Sequence, residues 1–240
     1  MSSWARVAEA LEQASEAGRT PSFWLRDDDA IRVTPALARL GEITRQAVVP
    51  IVLAVIPARA DRDLAAWVRG QPDARVVVHG YAHANHAPPG AKKEELGSHR
   101  PLDAVRADLV AGFDRTRDLF GAQTLPMLVP PWNRIAPSVV QCLPELDFRI
   151  LSAFGPARFS VEGLAILNTH VDLIDWHGTR GCRPHEDLLS EIVALLGQGG
   201  GSPIGILTHH LVHDEAAWAF LSELFEVTGG RARWTAPKPI

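Results

Sequence analysis

Short apolar runs and helical periodicities alternate along almost the whole chain, and this alternation limits the fold more than any other feature. Phe23–Leu25, Val48–Ile56, Arg75–Val78, Met127–Val129, Phe148–Ser152, Leu164–Leu167 and Ile204–Leu207 are brief, partly β-branched and bounded by turn residues, as buried strands are. Helical patterns at residues 35–46, 61–69, 101–120, 136–142, 185–197 and 214–227 separate many of them. Ahead of the first run, Trp4, Val7, Ala8 and Leu11 recur at helical spacing, predicting an amphipathic helix over residues 3–17 that Gly18 ends. Strand–helix–strand alternation requires parallel pairing through right-handed crossovers, and about seven such units build a barrel or a doubly wound sheet. The 240 residues contain no internal repeat, low-complexity tract or evident linker, so one domain over 1–240 is expected, with Gly199-Gly200-Gly201 as a loop.

Polar residues gather where the predicted strands end. Asp27-Asp28-Asp29 follow the first, His79-Gly80-Tyr81-Ala82-His83 the third, Pro130-Pro131-Trp132-Asn133 the fourth and Thr208-His209-His210 the last. In a parallel α/β fold the C-terminal strand ends share one face, and that face carries the chemistry, so these four segments are expected to converge.

His79 and His83 are four residues apart, so one turn of helix-like backbone brings both imidazoles to one side. Two imidazoles and one carboxylate suit a zinc-like ion and leave a coordination position open, and such a site acidifies water and polarises a carbonyl. Gly80 stands where the helical HExxH motif has its glutamate, so the site is not of that protease type. Alone, His-x-x-x-His would read as two polar residues of a strand-to-loop turn; three aspartates at another strand end turn the reading toward a metal. Those aspartates could also form an acidic helix cap before Val33–Leu40. Three adjacent carboxylates repel one another, however, and after a buried strand they are costly without a cation. A cation lets one act as ligand and its neighbour as general base.

The formal net charge is −4, and the only basic pair of note, Lys92-Lys93, is cancelled by Glu94-Glu95, so no nucleic-acid partner is expected. Cys142 and Cys182 are too few for a disulfide scaffold or a thiolate metal site, and two reduced thiols are expected. The polar, periodic N-terminal residues lack the apolar core of a secretory signal, and no run approaches the roughly 20 apolar residues of a membrane span. The expectation is a cytoplasmic protein with no membrane partner.

The order Asp-Asp, His-x-x-x-His, Pro-Pro-aromatic, Asp-Trp, Leu-x-His, spread over residues 22 to 215, resembles the polysaccharide deacetylases of carbohydrate esterase family four. The resemblance implies a distorted (β/α)7 barrel, here with an extra N-terminal helix, that removes acetyl groups from N-acetylated sugars with a divalent metal, usually zinc. It implies a small molecule or an oligosaccharide as partner. Two registers fit the first motif. In one, Asp27 is the base and Asp28 the ligand. In the other, Asp28 is the base and Asp29 the ligand; this one is favoured because Phe23-Trp24-Leu25 then matches the apolar strand before the motif. In both, His79 and His83 are ligands.

Val129-Pro130-Pro131-Trp132-Asn133 is similar to the family's Arg-Pro-Pro-Tyr-Gly, which puts Pro131, Trp132 and Asn133 at the substrate and the Trp132 N–H at the oxyanion. The family's arginine, which orients the base, is replaced by Val129, leaving Arg26 or Arg134 to substitute. Asp172-Leu173-Ile174-Asp175-Trp176 is similar to the fourth motif, with Asp175 and Trp176 supporting the site. Leu207-Thr208-His209 is similar to the fifth, making His209 the proton donor to the leaving amine and His210 its rival. Two other functions stay open: hydrolysis of a small linear or cyclic amide, and a non-catalytic carbohydrate-binding relative, which the lost arginine favours and the retained acids oppose.

The remaining candidates are weaker. Asp214 either orients a catalytic imidazole with His213 or caps the helix Glu215–Phe225. His86, His99, His170, His177 and His185 read as polar loop or supporting residues. Trp132 and Trp176 adjoin site motifs and could wall a pocket, whereas the other tryptophans read as core. Ala87–Pro101 reads as a long loop, either a lid or a plain surface excursion. No serine sits in a nucleophile-elbow context.

Overall fold

A computed structural model describes residues 3–237. The strands are β1 Ser22–Ala30, β2 Ile51–Val55, β3 Ala74–His79, β4 Thr124–Val129, β5 Ile150–Leu151, β6 Ala165–Ile166, β7 Val171–Asp172, β8 Ile204–Thr208 and β9 Arg233–Trp234. The α-helices are α1 Ser3–Glu16, α2 Pro35–Gln46, α3 Arg62–Arg69, α4 Leu102–Phe120, α5 Pro137–Cys142, α6 His185–Gly197 and α7 Glu215–Thr228. Side-chain caps fix three helix starts: Thr34 Oγ1 accepts from Leu37 N–H at 3.0 Å, Asp61 from Leu64 at 2.8 Å and Asp214 from Ala217 at 2.9 Å. Asp214 is therefore the cap of α7.

Every helix foreseen from periodicity is present, and the strands differ mainly at their ends. β1 runs on through Asp27, Asp28 and Asp29, which thus lie inside a strand and not after it. Pairing accounts for the first of them: Asp27 is registered opposite Thr208, so the β8 ladder reaches an acidic residue at which hydropathy alone would end the strand. Val48, expected to open the second strand, is 77% exposed with φ +56°, and turns the chain out of α2 before the strand begins. β7 and β9 were not foreseen; two residues each carry no readable periodicity.

The chain packs as two compact units. One holds the chain up to Asp27, Thr34–Val52 and His170–Ala236; the other holds Asp28–Val33 and Leu53–Thr169. In the first, β1 pairs in parallel with both β8 and β9, and β8 pairs in parallel with β7, registering Asp172 opposite Leu207. Its helices α6 and α7 pack on α1. Val7, Leu11, Phe23, Leu25, Leu188, Ile192, Ile206 and Leu221 are buried there. At roughly 1.5–3 kcal/mol for each large apolar side chain removed from water, this burial is what holds α1 to the unit.

In the second unit β3, β4, β5 and β6 pair in sequence, all in parallel. His79 is registered opposite Val129, which sets the end of β3 beside the start of the Pro130–Asn133 turn. Val78, Leu96, Leu109, Phe113, Leu128, Val140, Phe148 and Leu151 form one core, with Phe113 and Phe148 stacked at 4.9 Å. Among the described residues no helix is long and apolar enough to cross a membrane. Cys142 and Cys182 are free thiols.

Candidate metal centre

The last residue of β3 is His79, and the chain turns sharply after it. Gly80 has φ +60°, and a Cβ there would lie 1.9 Å from Glu95 Oε2 and 2.6 Å from Pro131 Cγ, so only glycine fits. The Glu95 carboxylate, 1% exposed, accepts the backbone N–H groups of Tyr81 at 3.2 Å, Ala82 at 2.9 Å and Ala84 at 3.2 Å. These bonds wrap the turn around one anion and deliver His83, itself at φ +56°, back beside His79, with ring centroids 5.0 Å apart.

Asp29, at φ +73°, brings its carboxylate to the same place. Its Oδ1 is 3.3 Å from His79 Nε2 and 3.4 Å from His83 Nε2, and among the described residues these three form the one group with metal-ligand geometry. Two donors bound at about 2.0–2.1 Å to a tetrahedral ion are about 3.3–3.4 Å apart, so the donor spacing fits such an ion. His79 Nδ1 lies 3.0 Å from the Val129 carbonyl, which takes its proton and leaves Nε2 with the lone pair that a metal needs. The residues present therefore fit a divalent cation. Burial works against charge on His79, but the Asp29 hydrogen bond, the charges of Asp28 and Asp29, and the Val129 carbonyl outweigh it and raise its pKa. At His83 burial, and then the neighbouring His79, lower the pKa.

The Pro131–Asn133 turn closes over this group. Trp132, at φ +55°, packs its ring on His83 with centroids 4.3 Å apart. Asn133 follows in the same left-handed conformation. Asp28 and Arg26 are buried side chains of β1. Arg134, one of the two arginines expected to stand in for the missing one, donates from Nη1 to the Lys93 carbonyl at 2.8 Å, tying the turn to the long loop.

Asp27, His209 and His210 cluster in the first unit. Asp27 accepts from Thr208 Oγ1 at 2.8 Å and from the His210 backbone at 2.9 Å, and its other oxygen meets His210 Nδ1 at 2.5 Å. Burial opposes ionisation of Asp27, yet the charge and hydrogen bond of His210, with lesser help from His213 and Thr208, keep its pKa below the usual carboxylate value. Trp176 stands edge-on to His209 at 4.7 Å, and its indole N–H donates to Asp172 at 2.9 Å. The residue that holds Trp176 is thus Asp172. Asp175, expected to support the site, instead accepts the Gly178 and Thr179 N–H groups at 3.0 Å each, because a carboxylate at that place in a tight turn is the nearest acceptor for its orphan amides.

No family model and no curated protein matches the sequence. Solved structures do match. A Mycobacterium smegmatis protein described as a polysaccharide deacetylase aligns with TM-score 0.63 and 18% identity over 93% of this chain and 96% of its own. A family four carbohydrate esterase from Streptomyces lividans, solved with acetate, gives 0.56 and 15% over 90% and 92%. The fold is that of the polysaccharide deacetylases. It is the distorted (β/α)7 barrel that the motif order implied, with α1 ahead of β1. A family four pseudoenzyme from Bacillus anthracis shares it too, at 0.60 and 15% over 89% of this chain and 62% of its own. Identity this low carries the polysaccharide deacetylase fold and no more, so activity has to be argued from side chains.

Two site residues escaped the sequence reading. Glu95 reads as half of a charge-cancelling Lys-Lys-Glu-Glu stretch, and nothing in the local pattern marks which glutamate turns inward. Asp172 lay within the quoted fourth motif, but its role depends on the strand pairing of β7, which two residues do not announce.

Proposed function

We propose that this protein is a metal-dependent hydrolase that removes acetyl groups from an N-acetylated substrate of the amino-sugar class. The observation that carries the reading is the Asp29–His79–His83 group, with the donor spacing of a tetrahedral ion, in a chain with the polysaccharide deacetylase fold. Its two imidazoles and one carboxylate favour zinc among common divalent ions. When bound, such a cation polarises the scissile carbonyl and acidifies water. Asp28, next to the ligand Asp29 in β1, takes the proton of the attacking water. The Trp132 N–H donates to the carbonyl oxygen as charge develops there. His209, on the Leu-x-His pattern, gives a proton to the departing nitrogen. Acetate and a free amine result.

The test is metal content of the purified protein, followed by acetate release from a panel of N-acetyl sugars and small amides. Metal with turnover on a sugar supports the reading. Turnover confined to small amides would move the substrate class. Stoichiometric metal without turnover on any amide would make the protein a binding relative, the reading that Val129 in the arginine position favours.

A further inference from the structure

Next to the Pro131–Asn133 turn lies a cavity of about 190 Å³ that the chemistry above does not use. Asn133, Arg134, Phe154, Arg158, Phe159 and Asn168 line it, over a floor that includes Leu151 and Ile166 at the ends of β5 and β6. Two short chain links join it to the metal group. Asn133 and Arg134 directly follow Trp132, which packs on His83, and Glu94 of its rim directly precedes Glu95, which holds the His79–His83 turn.

The wall is built firmly. Asn168 is buried and held at both ends of its amide, its oxygen accepting from Ala153 N–H and its nitrogen donating to the Gly155 carbonyl, each at 2.8 Å. Gly155 N–H donates to the Thr169 carbonyl at 2.8 Å, so the segment carrying Phe154 is clamped on both sides. Phe154 is nevertheless 38% exposed, an apolar ring left facing outward in an otherwise well-tied segment.

Positive charge outweighs negative around the cavity, two arginines to one glutamate. Arg134 spends one N–H on the Lys93 carbonyl, and among the described residues neither Arg134 nor Arg158 is paired with a carboxylate. Glu94, the acidic residue on the rim, faces His99 at 3.6 Å. Two guanidinium groups and two phenyl rings around a small cavity suit a planar or compact anion on a short apolar stem. Complete small-molecule sites usually occupy about 300–1,000 Å³, so this cavity fits a substituent and not a whole substrate.

We propose that this cavity is a specificity pocket for an anionic substituent of the substrate, a carboxylate or a phosphate monoester, read by Arg158 and Arg134. The inference rests on the hydrolase reading above for its place in the reaction. It accounts for two guanidinium groups that, among the described residues, have no carboxylate partner, set beside an exposed aromatic ring on segments continuous in the chain with those that hold the metal group.

The test compares N-acetylmuramic acid, N-acetylglucosamine 6-phosphate and neutral N-acetylglucosamine. Each is followed both as a substrate of the metal-loaded enzyme and as a ligand of the metal-free protein by calorimetry. The wild type should favour at least one anionic compound over the neutral one by about ten- to a hundredfold, the usual worth of a hydrogen bond to a charged group. Arg158→Leu should erase that preference, Arg158→Lys should restore part of it, and Arg6→Leu, at an exposed position of α1, should keep it entire. Preference for the first or the second anion identifies carboxylate or phosphate. If neither anion is preferred, or Arg158→Leu leaves the preference intact, the pocket is not an anion site. If no compound is hydrolysed, the amino-sugar substrate class fails, and calorimetry still decides the pocket: anion binding lost in Arg158→Leu supports it, and no binding overturns it.

Discussion

The carboxylate of Asp27 meets Nδ1 of His210 at 2.5 Å, and neither side chain is more than 1% exposed. A buried carboxylate stripped of its partner is left as an uncompensated charge, which costs about 3–5 kcal/mol. His210→Ala should therefore lower the unfolding free energy by that amount, and His209→Ala, whose ring lies against the half-exposed Trp176, should lower it far less. Turnover should divide the other way. His209→Ala should keep its metal and lose about a hundred- to ten-thousandfold in kcat, the usual worth of a positioned general acid. Denaturant unfolding and steady-state kinetics on the folded fraction check both halves. A folded His210→Ala that is slower than His209→Ala would assign the proton donor to His210.

The geometry also separates the three consecutive aspartates. Asp29 is the carboxylate grouped with His79 and His83, whereas Asp27 is committed to Thr208 and His210. Asp29→Ala, His79→Ala and His83→Ala should each abolish stoichiometric metal, since a site of three protein ligands keeps little affinity with two. Asp28→Asn should keep the metal and lose turnover. Elemental analysis of the four variants decides it; an Asp29→Ala protein that purifies fully loaded would shift the ligand one residue toward the N-terminus.

Glu95 touches no ligand atom, yet it holds the turn that carries His83 through three N–H bonds. Glu95→Gln replaces one acceptor oxygen with an NH2 group facing backbone donors, so at least one of those bonds is lost. Metal affinity should fall by about ten- to a hundredfold, as it does when outer-shell partners of metal ligands are removed. Competition against a chelator measures it. Wild-type affinity in Glu95→Gln would mean that the turn holds its shape without the anion.

What could be read from the sequence, and what could not, follows from the range of the interactions. Helix positions came from local periodicity, and α2 and α6 match to the residue because Pro35 and a full apolar stripe are local signals. His79 and His83 were legible for the same reason. The entry of β1 into the aspartates was not, because Asp27 has Thr208, some 180 residues away, as its ladder partner and hydrogen-bond donor. The turn role of Asp175 is hidden as well: its surroundings resemble the family motif, while the amides of Gly178 and Thr179 that it accepts belong to a turn that hydropathy does not reveal. Glu95 and Asp172 act on residues through folded backbone, and an isolated acidic residue does not show which way it will face.

His213 offers a prediction about pH. Both its ring nitrogens are buried without a hydrogen-bond partner, and its ring stands edge-on to Trp218 at 4.4 Å. Burial strongly disfavours its cation, more than the nearby Asp27 favours it, and pushes its pKa from 6.5 down to about 4. In the unfolded chain the same imidazole takes up a proton near its ordinary value. Between about pH 6.5 and 4 the unfolded state therefore binds more protons than the folded one, and stability must fall as pH falls through that window. Above it His213 is neutral in both states and contributes no slope. The loss should reach on the order of 2–3 kcal/mol at the acid end of the window. His213→Phe keeps an aromatic ring against Trp218 and removes the proton site, so its stability should decline less steeply from pH 6.5 to 4.5 than that of the wild type. Urea unfolding at half-unit pH steps measures the two slopes, and parallel curves would show that His213 is already solvated, or already charged, in the folded protein.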